Sequence, residues 1–205
     1  MYLPKHFAVG DREALLRLMR ARPLATLTLN GPDGLIADHI PLLAREEGGV
    51  LRLCGHVARA NPLWRLLEGG ADALAVFHGG DAYVTPSWYP AKAEHGKVVP
   101  TWNYAVAHAY GRLRAVEDAA WLRGLLDELT RTHEAGFETP WKVADAPADY
   151  IGKLLGAIVG IELEVARLEG KFKLSQNQAE ATRDSVRRGL ASRGAELADR
   201  MAERR

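Results

Sequence analysis

The chain has 205 residues, of which 47% are hydrophobic and 26% are charged, and its formal net charge is +1. This composition excludes wholesale disorder, and the length suits one domain with an appendage better than two full domains. With so small an excess of lysine and arginine, the chain as a whole lacks the charge that generic binding to a nucleic-acid backbone requires.

The expected compartment follows from the cysteine content and from the hydrophobic pattern. Cys54 is the one cysteine in the sequence, so an internal disulfide framework is impossible. The first residues lack the basic and then apolar pattern of a secretory signal, and every hydrophobic run is interrupted before it reaches the length of a membrane span. We therefore expect a cytoplasmic protein without a membrane role.

The first elements along the chain are a helix and an antiparallel meander. Asp11 is placed to cap the helix and Pro23 to end it. Apolar residues alternate over Leu24–Asn30, Leu35–Leu43 and Val50–His56, and the turn sequences GPDG and EEGG separate these segments. The pattern predicts three strands joined by hairpins.

The middle of the chain continues in short elements. Asn61–Gly69 is predicted to be a short helix, and Ala73–Gly79 and Ala82–Thr85 are predicted to be strands that GGD separates. A long strand is expected over Val98–Val116, with Gly111 as a bend.

Helices dominate the last part of the chain. An amphipathic helix is predicted after Asp118, and another near Pro147, before Ile158–Leu168 returns to the alternation of a strand. The final segment is predicted to be two helices with a break near Ser192–Gly194. The helix near Pro147 is expected to face inward with Tyr150, Ile151, Leu154 and Leu155. The two tail helices are expected to face inward with Val186, Leu190, Leu197 and Met201.

This order of elements predicts an antiparallel α+β barrel, because strands and helices do not alternate as they do in a doubly wound sheet. Common nucleotide and hydrolase motifs are missing from the sequence: there is no GxGxxG fingerprint, no Walker A loop, and Ser87 does not lie in a GxSxG elbow. Cys54 and His56 offer only two ligands, so we expect no metal site.

Three segments combine aromatic residues with directional polar groups: Gly55–Trp64, Tyr83–Gly111 and Glu169–Gln178. Tryptophan and tyrosine offer flat faces for a ring, whereas asparagine, lysine and arginine offer hydrogen bonds and partners for a phosphate. Together the three segments predict a pocket for a planar, anionic ligand.

Six short motifs in order carry a resemblance to a known family. They are MYLPKHF at the start, HIP at His39–Pro41, HVARANP at His56–Pro62, the SWYPAK and VPTWNY blocks, and GKFKLSQN at Gly170–Asn177. The chain resembles the PaiB-like transcriptional regulators, whose FMN-binding split barrel is related to the pyridoxamine phosphate oxidases. The resemblance covers nearly the whole chain.

The resemblance implies an architecture and an assembly. It implies an α+β fold with an antiparallel six-stranded split β-barrel, peripheral helices and a C-terminal helical hairpin. The FMN-binding barrel would span residues 1–177, and residues 178–205 would form a helical tail packed on the barrel or on a partner subunit. The family further implies a homodimer that holds FMN between its subunits.

The same resemblance implies a set of cofactor-binding residues. The flavin ring would follow His39, Ile40 and Pro41, and the ribityl and phosphate groups would meet His56, Ala58, Arg59 and Asn61. Further contacts, some of them from the partner subunit, would come from Trp102, Asn103, Lys173, Gln176 and Asn177. Oxidase members of the superfamily carry an arginine where this chain has Asp38 and His39, so oxidase chemistry does not follow.

Each of these residues also has a structural interpretation. His39 and His56 can be strand histidines bonded to their neighbours, and Trp102 can belong to a dimer contact. Lys173 and Asn177 can end a strand and cap the next helix. The basic tail, whose net charge of +4 over residues 171–205 leaves −3 for residues 1–170, can be a solvated helix face or a DNA-binding surface.

Three functions remain open at this point. The first is an FMN-binding regulator that represses transcription. The second is an FMN-dependent oxidoreductase acting on a small substrate. The third is a split-barrel module that binds haem or no cofactor.

Overall fold

The computed structural model describes residues 1–203, which form seven strands and six α-helices. The strands are β1 (Leu24–Gly31), β2 (Gly34–Pro41), β3 (Leu43–Glu47), β4 (Val50–Ala58), β5 (Ala71–Val84), β6 (Thr101–Val116) and β7 (Ile158–Lys173). The α-helices are α1 (Arg12–Ala21), α2 (Ala91–Glu94), α3 (Ala119–Glu134), α4 (Ala148–Gly156), α5 (Glu180–Ala191) and α6 (Leu197–Glu203). Short 3₁₀ helices cover Pro62–Leu67, Pro86–Trp88 and Val143–Asp145.

All seven strands belong to one sheet, in the order β2-β1-β5-β6-β7-β4-β3. The pairs β1–β2, β3–β4 and β4–β7 are antiparallel. Because β2 and β3 stand at the two ends of the order, the sheet is not closed. The α+β class is confirmed, but the expected count of six strands is wrong for the described residues.

The strands differ from the predicted segments in two places, where local patterns mislead. Leu43–Glu47 holds three charged residues and lacks alternation, yet it pairs as β3 with the segment just after the turn. Conversely, Gly79 and Gly80 do not interrupt β5. The strand continues through Gly80, which has φ +94°. The predicted strands Ala73–Gly79 and Ala82–Thr85 are therefore one element.

The two predicted hairpin turns are confirmed. Gly31 pairs with Gly34 across Pro32 and Asp33, and Gly34 has φ +120°. In the β3–β4 hairpin, Gly48 and Gly49 have φ +59° and +80°, the signs that a two-residue type I′ turn requires.

The helix caps also agree with the sequence. Asp11 accepts a hydrogen bond from the backbone N–H of Glu13 at 2.9 Å, and Asp118 accepts one from Trp121 at 2.8 Å. The inward face predicted for α4 is wrong in part: Ile151 is buried, but Tyr150 and Leu154 are exposed. The helix is only nine residues long, so a few apolar positions define its face poorly.

The chain divides into two compact units. The first unit comprises residues 1–22, residues 77–108 and the chain from Glu169 onward. The second unit comprises residues 23–76 and 109–168. Strands β5, β6 and β7 contribute residues to both.

The core of the first unit forms where α1 meets β5 and β7. A Cβ atom at Gly79 would lie 2.6 Å from Leu18, and one at Gly170 would lie 2.1 Å from Leu15, so both glycines let the helix approach the strands closely. Helix α5 packs on Pro86–Trp88 and on α6. The inward residues predicted for the tail are confirmed, since Val186, Leu190, Leu197 and Met201 are all buried.

The core of the second unit combines sheet and helix. Leu27, Leu53, Leu113 and Ile161 from four strands are fully buried. Leu125 of α3 packs with Leu129 on Cys54 of β4. No helix within residues 1–203 is long and apolar enough to cross a membrane.

Glycine 111 allows the closest backbone approach in the second unit, and a substitution there tests the packing. A Cβ atom at Gly111 would lie 1.9 Å from the carbonyl oxygen of Glu164. We expect Gly111→Ala to lower the free energy of unfolding by about 1–3 kcal/mol, because strand backbone must move to relieve the clash. Chemical denaturation measures this change in the free energy of unfolding.

The matched control for this prediction is Gly124→Ala. Gly124 lies within α3 and has no atom within 4 Å of the added Cβ. Because alanine is the better helix former, this variant should be up to about 1 kcal/mol more stable. Equal stability of the two variants would contradict the packing described for Gly111.

Candidate functional site

Seven of the twelve predicted cofactor-binding residues lie in the second unit, at the ends of β2 and β4. Ile40 is buried, whereas His39 and Pro41 are exposed on the other face of β2. Gly55 of β4 lies against this segment, because a Cβ atom there would come 2.8 Å from the Pro41 carbonyl oxygen. The structure therefore brings the HIP and HVARANP motifs together.

His56 carries an unusual feature within this group. Its Nδ1 atom is buried and has no hydrogen-bond partner among the described residues. Burial also lowers the pKa of the His56 imidazole from its ordinary value of 6.5, which favours the neutral ring. A buried ring nitrogen without a partner is costly, so this atom is suited to meet a ligand.

Arg59 is held by groups of its own unit. Its guanidinium donates to the carbonyl oxygens of Gly156 at 2.9 Å and Ile158 at 3.3 Å, and it pairs with Glu117 at 2.7 Å. It also lies 5.5 Å from the ring of Trp64. The predicted phosphate contact would have to compete with Glu117.

Asn61 joins the start of the 3₁₀ helix to β2. Its side-chain oxygen accepts from the N–H of Leu63 at 2.9 Å, and its amide donates to Asp38 at 3.0 Å. Ala58 is exposed next to it at the end of β4. The cap thereby fixes the spacing between the two strand ends.

The other five predicted residues lie in the first unit, at the start of β6 and the end of β7. Asn103 is fully buried and exchanges hydrogen bonds with Ser175 at 3.0 and 3.2 Å. Gln176 serves the turn after β7, because its side-chain oxygen accepts from the N–H of Leu174 at 2.6 Å and its amide donates to the Phe172 carbonyl oxygen. Gln176 therefore stabilises this turn and keeps one side-chain N–H for a ligand.

Lys173 and Asn177 face a cleft of about 300 Å³ in this unit. The Lys173 ammonium group donates to the Thr101 hydroxyl and, at 2.5 Å, to the Trp102 carbonyl oxygen. Burial, and then the charge of Lys171, lowers the pKa of Lys173. The Trp102 side chain is 53% exposed and meets Tyr83 edge-on at 5.9 Å.

The sequence-based prediction missed several residues of this cleft. Tyr89, Lys97, Ser175 and Gln178 line it together with Lys173. All four lie within or next to the polar-aromatic segments singled out above, but their side chains could not be assigned a direction from spacing in loops. Ser175 in particular needs the turn geometry, because its φ of 64° is invisible in the sequence.

The donor set can be tested against FMN, which carries a flat ring system and a phosphate. The second unit offers the unpartnered His56 Nδ1 atom, and the first unit offers the Lys173 ammonium group. Each feature by itself, a buried polar atom without a partner or a lysine-lined cleft, is one that such a ligand satisfies. The residues present therefore fit an anionic, hydrogen-bonding cofactor.

The open antiparallel sheet with peripheral helices is the fold of known split-barrel flavin-binding proteins. Two solved structures share this fold. One is a FAD- and heme-binding protein from Mycobacterium smegmatis, with 23% identity, a TM-score of 0.60 and coverage of 81% of this chain and 73% of that chain. The other is the flavocytochrome Anf3 from Azotobacter vinelandii, with 19% identity, a TM-score of 0.57 and coverage of 83% and 72%.

The family is shown by sequence. A family model described as "Putative FMN-binding domain" matches residues 1–167, so the chain belongs to this FMN-binding family. The protein is 31% identical to the protease synthase and sporulation protein PAI 2 of Bacillus subtilis, over 99% of this chain and 95% of that protein. It is 35% identical to an uncharacterised protein of Emericella nidulans, over 95% and 92%. The resemblance to the PaiB-like family and the expected cofactor, FMN, are confirmed.

The buried His56 ring makes a prediction about pH. The pKa of His56 in the native state is below 6.5. As the pH is lowered, the His56 ring of the unfolded chain therefore binds a proton before the ring of the native state does. Stability should therefore fall as the pH is lowered through 6.5. Denaturant unfolding of the flavin-free protein, about one pH unit above and below this value, measures the change.

His56→Gln should show a smaller loss than the wild type over this range. His133→Gln, which removes an exposed ring on α3, is the matched control and should behave as the wild type does. If His56→Gln and the wild type lose the same free energy, the pH dependence arises elsewhere.

Proposed function

We propose that this FMN-binding protein is a regulator of the PaiB type, in which bound flavin controls an interaction with DNA. The observation that carries the proposal is its near full-length similarity to PAI 2, whose name refers to protease synthase and sporulation. The basic helical tail supports it, because Arg188 on α5 and Arg193 just beyond it are exposed. Such side chains supply the phosphate contacts that position a protein on DNA.

The cofactor residues proposed for this function are the twelve predicted from the sequence. Those of the second unit have the stronger structural support. His56, whose Nδ1 atom has no partner among the described residues, lies on β4 together with Ala58. Gly55, the residue before His56, packs on β2. Arg59 would leave Glu117 to meet the phosphate. Such an exchange costs little, because the ion pair is partly exposed and pairs of this kind contribute about 0–1 kcal/mol.

Homodimer formation is part of the proposal. One face of the β1–β2 hairpin in the second unit exposes Leu24 and Leu35, whose exposed fractions are 56% and 77%. The same region borders a largely apolar groove of about 610 Å³ that also includes Leu74 and Tyr110. Exposed apolar patches of this kind mark interaction sites, and a second copy of the chain is the partner we propose. Sedimentation analysis measures the oligomeric state. We also propose that the protein is cytoplasmic.

A second candidate function is an FMN-dependent oxidoreductase. The observation that favours it is the polar cleft of the first unit, whose volume of about 300 Å³ accommodates a small substrate. Oxidation of a reduced nicotinamide by the FMN-loaded protein would support it. The Mycobacterium smegmatis protein of similar fold binds haem. The absorbance spectrum that detects flavin also tests for haem in this protein.

The first prediction from this proposal concerns Arg59. An absorbance spectrum of the purified protein after FMN addition and desalting should show retained flavin, and Arg59→Ala should weaken FMN binding. The expected loss is that of a charge-assisted hydrogen bond, about 1.5–3 kcal/mol or roughly 10- to 150-fold in Kd. Titration followed by flavin fluorescence measures the affinity.

Two variants control this measurement. Arg65→Ala removes the same charge beside the same ring, since Arg65 lies 5.2 Å from the Trp64 centroid, and it should leave the FMN affinity unchanged. Glu117→Gln frees Arg59 from its ion pair and should preserve or strengthen binding. Equal affinities of Arg59→Ala and Arg65→Ala would remove Arg59 from the site.

The second prediction concerns DNA. FMN-loaded and flavin-free protein should bind a selected genomic fragment with different affinities, and the affinity should fall as the salt concentration rises. Arg188→Gln combined with Arg193→Gln should lower the salt slope by about two. The control pair is Arg131→Gln with Lys142→Gln, which lie outside the tail. A slope that both double variants leave unchanged would exclude the tail as the DNA contact.

A further inference from the structure

The cleft of the first unit differs from its surroundings in its charge. Its lining residues include no aspartate or glutamate; they are Tyr89, Lys97, Val98, Val99, Pro100, Thr101, Asn103, Lys173, Ser175, Asn177 and Gln178. Two ammonium groups, two hydroxyl groups and three side-chain amides thus meet around about 300 Å³, together with the phenol of Tyr89. Such a set of donors without a carboxylate favours an anion.

A second cleft in the same unit gives a useful contrast. Its volume is about 710 Å³, but three of its lining residues are Asp11, Glu196 and Asp199, and these stand beside three arginines. Arg22 pairs with Glu196, and Arg17 pairs with Asp11 at 3.5 Å. The larger cleft is therefore internally neutralised, whereas the smaller one is not.

Lys173 is positioned at the wall of the smaller cleft. Its ammonium group has two acceptors, the Thr101 hydroxyl and the Trp102 carbonyl oxygen, and no carboxylate partner among the side chains of residues 1–202. An ammonium group has three donors, so one remains for a ligand. Burial, and then the charge of Lys171, lower the pKa of Lys173, and a bound anion would act in the opposite direction.

The floor of the cleft is held by a strained residue. Ser175 is the one non-glycine residue among residues 1–203 with positive φ, at 64°. It is 4% exposed, and its hydroxyl is fixed by Asn103, which is fully buried. Strained backbone that the surroundings hold in place is concentrated at binding and catalytic sites.

We propose that this cleft is an anion-binding site for the phosphate or carboxylate group of a small molecule, with Lys173 and Lys97 as its cationic groups. Its size suits such a group with a short attachment rather than a whole dinucleotide. The anion can be the phosphate of FMN or that of a separate small molecule. Asn103, Lys173 and Asn177 are also among the cofactor residues proposed above, so the inference rests on the proposed function where the anion is the phosphate of FMN. A separate anion at this site does not require flavin binding.

The test is a set of titrations with three probes at constant ionic strength. Inorganic phosphate reports the anion alone, FMN carries a phosphate, and riboflavin is the same flavin without it. The variants are Lys173→Met, Lys97→Met and, as a matched control for the lost charge, Lys5→Met, which removes an exposed lysine of the same unit. Calorimetry measures each affinity, and thermal unfolding confirms that each variant folds.

Binding to wild type and Lys5→Met, with a loss of at least tenfold in Lys173→Met, supports the proposal. If FMN binding weakens, riboflavin binding does not and phosphate competes with FMN, the anion is the phosphate of FMN. If phosphate binding alone weakens and phosphate does not compete with FMN, the anion belongs to a separate molecule. Lys173→Arg should restore binding in either case, which distinguishes lost charge from lost structure.

Two results would overturn the proposal. One is equal phosphate and FMN affinity in Lys173→Met and Lys5→Met. The other is a wild-type protein that binds neither probe. A wild type that binds phosphate but no flavin contradicts the proposed function and leaves the anion site in place.

Discussion

Close backbone approach at glycine is the constraint on which the arrangement of strands depends. In the second unit the Glu164 carbonyl oxygen occupies the space of a side chain at Gly111, and the ring of Trp121 occupies that space at Gly160. At Gly55, the carbonyl oxygen of Pro41 at the end of β2 occupies the corresponding space. Because β4 and β2 meet there, the two motifs that contain the predicted flavin contacts approach each other only where a side chain is absent.

A buried carboxylate paired with an exposed arginine lies beside this packing and contributes to the properties of the cysteine. Glu162 of β7 is 5% exposed, and it is bonded to Arg114 at 2.7 Å. It faces Cys54, its partner in the β4–β7 register, at 3.8 Å. Burial, and to a smaller extent the Glu162 carboxylate, raise the pKa of Cys54 to about 12, so the thiol is protonated and unreactive. Arg114 keeps the carboxylate paired inside the sheet.

The sequence predicted the elements with strong local signals and missed those that depend on tertiary pairing. Asp11 caps α1 as expected, because a cap is a contact between near neighbours. The strand β3 was missed, since its charged residues pair only in the folded hairpin. In the candidate site, the motifs singled out His56 and Lys173, but the missing partner of the His56 Nδ1 atom and the φ of Ser175 are properties of the packed chain.

The two cationic residues in the predicted site also show why a motif alone does not assign a role. Arg59 looks like a phosphate ligand in sequence, yet Glu117 and two carbonyl oxygens already accept its hydrogen bonds. Lys173 lies in an equally polar motif but has no carboxylate partner among the described residues. An anion gains most where the cation is not already neutralised and where water is partly excluded. By that argument Lys173, at the end of β7, attracts an anion more strongly than Arg59 does while Arg59 is paired with Glu117.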